Sequence, residues 1–166
     1  LKFEGTINTN GGGFCSIRGK ASSSSSSSSS QHEVGVVPTK TLLPPETSAI
    51  RICVQGDGKT YKLLLSDGNK SMFGPGKRSP SWQADIPTTV DKETVLEIPL
   101  TSFQPSFGPS KVSDPVDPLD AGTVQEIGFM LSLKLSDGSP NPVPTFGEGI
   151  FPFCLQIKSI EPVLAN

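Results

Sequence analysis

The chain has 166 residues and a formal net charge of −2, which suits one domain of ordinary size and leaves no basic footprint for nucleic acid or an anionic membrane surface. Its 17 glycines and 16 prolines cut it finely: outside the serine tract, the longest stretch free of both runs only from Thr88 to Ile98. Interior proline costs a helix about 3 kcal/mol and interior glycine about 1 kcal/mol, so an all-α bundle and a doubly wound α/β fold are excluded.

Strand-like sequence begins at once, with no basic leader or signal-type apolar core before it, as expected of a chain that follows a processed or disordered segment. Leu1 to Ile7 alternates apolar and polar residues and predicts a first strand, and Phe14 to Arg18 a second after Gly11-Gly12-Gly13. The triple glycine lacks the Lys-Ser/Thr and the helix that a phosphate cradle needs, so a loop or bulge is expected there. Ala21 followed by Ser22 to Ser30 has nothing to bury and many rotamers to lose, which predicts a flexible loop. Ile50, Ile52 and Val54 share one face of the next strand, with Arg51 and Cys53 on the other. Gly56-Asp57-Gly58 is tight-turn chemistry, and it predicts a hairpin between that strand and Lys59 to Leu65.

Further strands are predicted at Trp82–Ile86 and Thr94–Leu100. Pro105 to Gly122 reads as a long extended excursion, of the kind that in compact domains is usually functional or wrapped against something. The longest strand is predicted at Ile127 to Leu135, with 127, 129, 131, 133 and 135 on one face, and the last at Phe151, Phe153, Leu155 and Ile157. About eight short strands with turn chemistry between them predict an all-β sandwich over residues 1–166, with Ile50, Ile52, Ile127, Phe129, Leu131, Phe153 and Leu155 in its core.

Residues that could carry chemistry are few. Cys15, Cys53 and Cys154 are widely spread without a CxxC pair, as expected of buried thiols in a reducing compartment, with a disulfide between two of them as the alternative, and His32 stands alone beside the serine tract. Neither a Ser–His–Asp arrangement nor a GxSxG elbow can be assembled, so no catalytic residue, cofactor or metal is expected. Asp114, Asp117 and Asp120 lack the glycine and closing glutamate of a calcium loop and read as solvated loop acids. Arg18, Tyr61 and Trp82 are the more suggestive trio. As strand residues they are either packing groups or a recognition surface; stacked on a sugar, Tyr61 and Trp82 would make the chain a carbohydrate-binding module, the alternative function.

Several segments taken together are similar to a known family. Phe3-Glu4-Gly5, Asn10 to Arg18, Val54 to Lys62, Ser81 to Ala84, Ile98-Pro99-Leu100 with Phe103-Gln104-Pro105, Gln125 to Ser132 and Phe153 to Ile160 resemble, in order, the motifs of the complex I intermediate-associated protein 30 family. The resemblance spans nearly the whole chain. It implies a galactose-binding-like jelly roll and a non-catalytic role as an assembly or accessory subunit of a large organellar membrane redox complex, either respiratory complex I in mitochondria or a photosystem in plastids. Differences from the mitochondrial form at 88–92 and 108–122 favour a plastid, stromal or thylakoid-associated location. No run approaches the ~18 apolar residues of a membrane span, so the implied attachment is peripheral and its partners are protein subunits. The expected contact surface is Arg18, Tyr61 and Trp82 together with three loops outside the sandwich: Pro105–Gly122 with Pro109, Pro115 and Pro118, Gly74–Pro80 with Lys77 and Arg78, and Ser139–Gly149.

Overall fold

Alternation with period two lets an extended chain bury one face and solvate the other. The computed structural model describes residues 1–20, 41–68, 79–107, 110–112 and 116–165, and among them this patterning yields ten strands. They are β1 (Lys2–Asn8), β2 (Phe14–Lys20), β3 (Thr47–Gly56), β4 (Thr60–Ser66), β5 (Ser81–Pro87), β6 (Glu93–Pro99), β7 (Gln104–Phe107), β8 (Ser110–Lys111), β9 (Glu126–Ser132) and β10 (Ile150–Leu164). A four-stranded sheet in the order β1-β10-β3-β6 packs on a six-stranded sheet in the order β2-β9-β4-β5-β7-β8, with antiparallel pairing between neighbours. The serine tract, His32 and Asp114 lie outside the described residues.

The core is the set of inward residues from both sheets. Phe3, Ile50, Ile52, Val54, Phe153 and Leu155 come from one side, and Tyr61, Leu63, Leu65, Phe129 and Leu131 from the other. Phe3, Phe153 and Tyr61 form an aromatic cluster across the sandwich, with ring centroids 4.9 to 6.5 Å apart, within the range in which tilted rings attract. Of the expected core residues, only Ile127 is half-buried at the margin.

Four expectations are corrected. First, β3 and β4 do not form a hairpin: β3 is flanked by β10 and β6, whereas β4 lies in the opposite sheet between β9 and β5. Gly56-Asp57-Gly58 carries the chain across the sandwich, so that the inward residues of β3 and β4 face one another through the core. A Cβ on Gly56 would lie 2.4 Å from the Thr88 hydroxyl oxygen. That hydroxyl in turn accepts from the Gly58 amide (3.1 Å) and donates to the Lys59 carbonyl (2.8 Å). The left-handed conformation belongs to Gly58 (φ 89°) and not to Asp57. Second, β9 stops at Ser132, because Asn141 Nδ2 donates to the carbonyls of Ser132 (3.1 Å) and Thr60 (2.9 Å) and turns the chain there. Leu133, expected inside, is exposed.

Third, the longest strand is β10, which continues to Leu164 through a register shift between Ile157 and Ser159. That irregularity breaks the alternation and hides the second half of the strand from a period-two reading. Fourth, two loops expected to lie outside the sandwich each contribute described residues to it. Within the Pro105–Gly122 excursion, β7 and β8 extend the six-stranded sheet, while Ala121 and the adjoining Val124 are buried. Within Ser139–Gly149, the single helical turn Val143–Phe146 drives Phe146 fully into the core, where it meets Phe151 edge-on at 5.4 Å.

Candidate functional site

The crossover after β3 creates a dense polar node. Asp57 Oδ1 accepts from the Tyr61 hydroxyl (2.9 Å) and the Lys59 amide (3.3 Å), while Oδ2 accepts from the Cys154 amide (3.1 Å) and pairs with Lys59 Nζ at 3.2 Å. One carboxylate thus ties β4 to β10 and so joins the two sheets. Burial, and then the Asp57 charge, push the Tyr61 phenol far above its ordinary range. It is a packing residue held by a hydrogen bond. Tyr61, expected on a contact surface, is therefore corrected to the core.

Arg18 lies on the outer face of the six-stranded sheet. Gly128 is opposite it in the neighbouring strand, and a Cβ there would meet the Ile17 carbonyl at 2.4 Å and Arg18 Cγ at 2.8 Å. The missing side chain allows Arg18 to lie across the sheet, where it donates to Ser81 Oγ at 3.1 Å and approaches Glu126 at 3.7 Å. Lys20 reaches the same carboxylate at 3.2 Å. Beyond them on this face, Lys62 is only 2% exposed, and its ammonium donates to Gln83 Oε1 at 2.9 Å. The next outward residue on β5 is Asp85, whose carboxylate accepts from the Ser136 amide and hydroxyl at 2.9 and 2.8 Å.

Lys62 has a measurable consequence. Burial lowers its pKa below the ordinary 10.5, and the Asp85 charge only partly opposes this. The unfolded chain keeps the proton up to its ordinary pKa, whereas the folded chain releases it earlier. Between those two values the unfolded state binds more protons, and stability rises with pH. The difference in urea midpoint between wild type and Lys62→Met should therefore move in favour of wild type as pH approaches the ordinary lysine value. A difference independent of pH would show that the amine is solvated.

Trp82 is half-buried at the other side of the same sheet, where it packs against the margin of the core. It lines a cavity of about 310 Å³ with Pro80, Val116, Asp117, Pro118, Leu119 and Asp120. The segment 116–120 is held by Asp120, whose Oδ1 accepts from the Gly122 amide at 2.8 Å at the start of a short 3-10 turn. Two of the sequence-predicted residues, Trp82 and Pro118, are thus brought together, and Arg18 and Tyr61 are not part of this cavity. Lys77, Arg78, Pro109 and Pro115 lie outside the described residues.

Cys15, Cys53 and Cys154 are free and half-buried rather than buried. Burial, the largest influence, pushes the Cys53 thiol above its ordinary value. Among the described residues, no group of three or more His, Cys, Asp or Glu side chains could hold a metal ion.

The model of the complex I intermediate-associated protein 30 family matches residues 1–157. The chain belongs to this family. Among solved structures it is similar to the family 11 carbohydrate-binding module of the cellulosomal cellulase Lic26A-Cel5E of Clostridium thermocellum, at 14% identity and a TM-score of 0.54, covering 99% of this chain and 83% of the module. It is also similar to the family 11 module of Clostridium thermocellum in complex with a β-1,3-1,4-mixed-linked tetrasaccharide, at 13% identity and a TM-score of 0.52, covering 99% and 86%. No curated protein matches it. At such identities the likeness carries the fold alone, a jelly-roll β-sandwich.

Several of the residues that resemble motifs of the complex I intermediate-associated protein 30 family have physical roles in the structure. Gly5 lies under the Phe153 ring, where a Cβ would come within 3.2 Å. Asp57 and Tyr61 are the two ends of the inter-sheet hydrogen bond, and Gly128 makes room for Arg18. These positions build the jelly roll.

Sequence reasoning missed Asp57 as a tie between sheets because Asp in Gly-Asp-Gly also suits a turn. Lys62 had a signal that was passed over. It interrupts Tyr61-Lys62-Leu63-Leu64-Leu65, a run apolar enough for a strand buried on both faces.

Proposed function

We propose that the chain is a non-catalytic assembly or accessory protein of a large organellar membrane redox complex, attached by contacts with protein subunits. The observation that carries this reading is the family match across residues 1–157. No helix among the described residues is long and apolar enough to cross a membrane, and in this reading the attachment is peripheral. The Trp82 cavity supports it, since a half-buried indole framed by prolines offers a partner amphipathic contact area at small entropic cost. Departures from the mitochondrial form at 88–92 and 108–122 support the plastid branch, with a stromal or thylakoid-associated location.

The test is a native gel of membranes from the source organelle, probed for this chain and read by mass spectrometry. Co-migration with a high-mass assembly, and the identity of its subunits, is the expected result. Migration at the mass of the free chain, together with retention on immobilised polysaccharide, would replace this reading with the carbohydrate-binding one. The single tryptophan at a cavity favours that second reading more than any other feature of the chain.

A further inference from the structure

We propose that the Trp82 cavity takes one arginine or lysine side chain of a partner protein, with the indole as its platform and Asp117 and Asp120 as its counter-charges. This rests on the protein-docking reading above and specifies the contact. The cavity, of about 310 Å³, is large enough for one long side chain. Its walls divide by chemistry. Pro80, Pro118 and Leu119 provide apolar surface for an alkyl stem, and no basic residue is among the described residues lining it. Asp117 and Asp120 are both exposed at its rim, three residues apart on one segment, and a third carboxylate, Asp67, lines it from the end of β4.

Like charges on one short segment repel one another, and a cation bound beside them relieves that repulsion. A cation above an indole face is further stabilised by the ring quadrupole, and a guanidinium adds charge-assisted hydrogen bonds to carboxylates. Asp120 uses Oδ1 to hold the Gly122 amide and Thr123 Oγ1 donates to the Asp120 carbonyl, so the rim is set by bonds that do not consume the second carboxylate oxygen. A neutral sugar would stack on the same indole, but it gains less from these negative charges than a cation does.

Trp82 is the only tryptophan in the chain, so its emission reports this cavity alone. The full chain is titrated with tetra-arginine, with the matching tetra-citrulline as the neutral isostere, and with a mixed-linked β-glucan tetrasaccharide. A saturable change with tetra-arginine is expected, absent with tetra-citrulline. It should weaken about ten-fold or more in the double variant Asp117→Asn/Asp120→Asn, in which the side-chain amide oxygen at position 120 keeps the acceptor for Gly122 while the charges are gone. It should weaken likewise in high salt, which screens exposed charges. No saturable response to tetra-arginine, an equal response to tetra-citrulline, or a tetrasaccharide response indifferent to salt and to the double variant would each overturn the proposal. The native gel separates it from the reading it rests on. If the wild-type chain fails to co-migrate with a large assembly, the docking reading fails; if both wild type and the double variant co-migrate, only the cavity assignment fails.

Discussion

Replacing Phe129 by alanine is expected to lower the free energy of unfolding by about 3–5 kcal/mol, the largest effect of any substitution considered for this chain. The ring is 2% exposed, on the inner face of β9, and its strand neighbours are Ile17 of β2 and Leu63 of β4. It therefore sits where three strands of the six-stranded sheet meet the opposite sheet, and the surrounding backbone is pinned by two ladders. A site held on both flanks relaxes poorly, so the cavity left by a lost ring stays largely open. Urea unfolding followed by far-UV circular dichroism gives the midpoint and the slope. A lower midpoint with an unchanged slope is the expected result. A loss below about 1 kcal/mol would mean that the two sheets close over the gap and that the core is less tightly packed than the structure indicates.

Asp57→Ala should cost about 3 kcal/mol, because the change removes the acceptor of several groups at once and leaves them in a half-buried place. The Tyr61 hydroxyl and the Cys154 amide lose their acceptor, and Lys59 Nζ loses its ion pair. Asp57→Asn separates geometry from charge. It keeps one acceptor oxygen for Tyr61 or Cys154 and should retain a good part of the stability. The same node predicts a distinct alkaline signature. The Tyr61 phenol is raised in the folded chain, so above its ordinary value of 10.0 the folded state holds a proton that the unfolded state has lost, and stability falls as pH rises further. In Asp57→Ala that alkaline fall should keep its slope but level off at a lower pH, since one cause of the raised value is gone. Equal midpoints for Asp57→Ala and wild type would show that Asp57 serves only the turn.

What the chain declares by itself is which residues point the same way along each strand. Ile50, Ile52 and Val54 are on one face, as are Phe129 and Leu131, and Phe153 and Leu155, because side-chain direction in an extended chain alternates with every residue and needs no partner to be read. The all-β class follows from the same local information, with glycine and proline cutting the chain too often for helices. The ordered motifs carried the family and, through it, the jelly roll. Partner choice between strands is a different kind of quantity. Gly56-Asp57-Gly58 is compatible with a hairpin and with a crossing between sheets, and only the packing of β3 between β10 and β6 excludes the hairpin. The half of β10 beyond Ile157 was hidden because its register shift breaks the period that betrays a strand, and it is held there by pairing with residues more than a hundred positions earlier. The candidate site is tertiary for the same reason. Trp82 and the segment 116–120 are separated by more than thirty residues and meet only because β5 begins where that segment returns to the sheet, while Arg18 and Tyr61, equally plausible on their strands, are directed to the outer face and to the core. Alternation is set by backbone geometry within a few residues, whereas adjacency is set by which faces can bury one another across the whole chain, and that is decided only when the two sheets close.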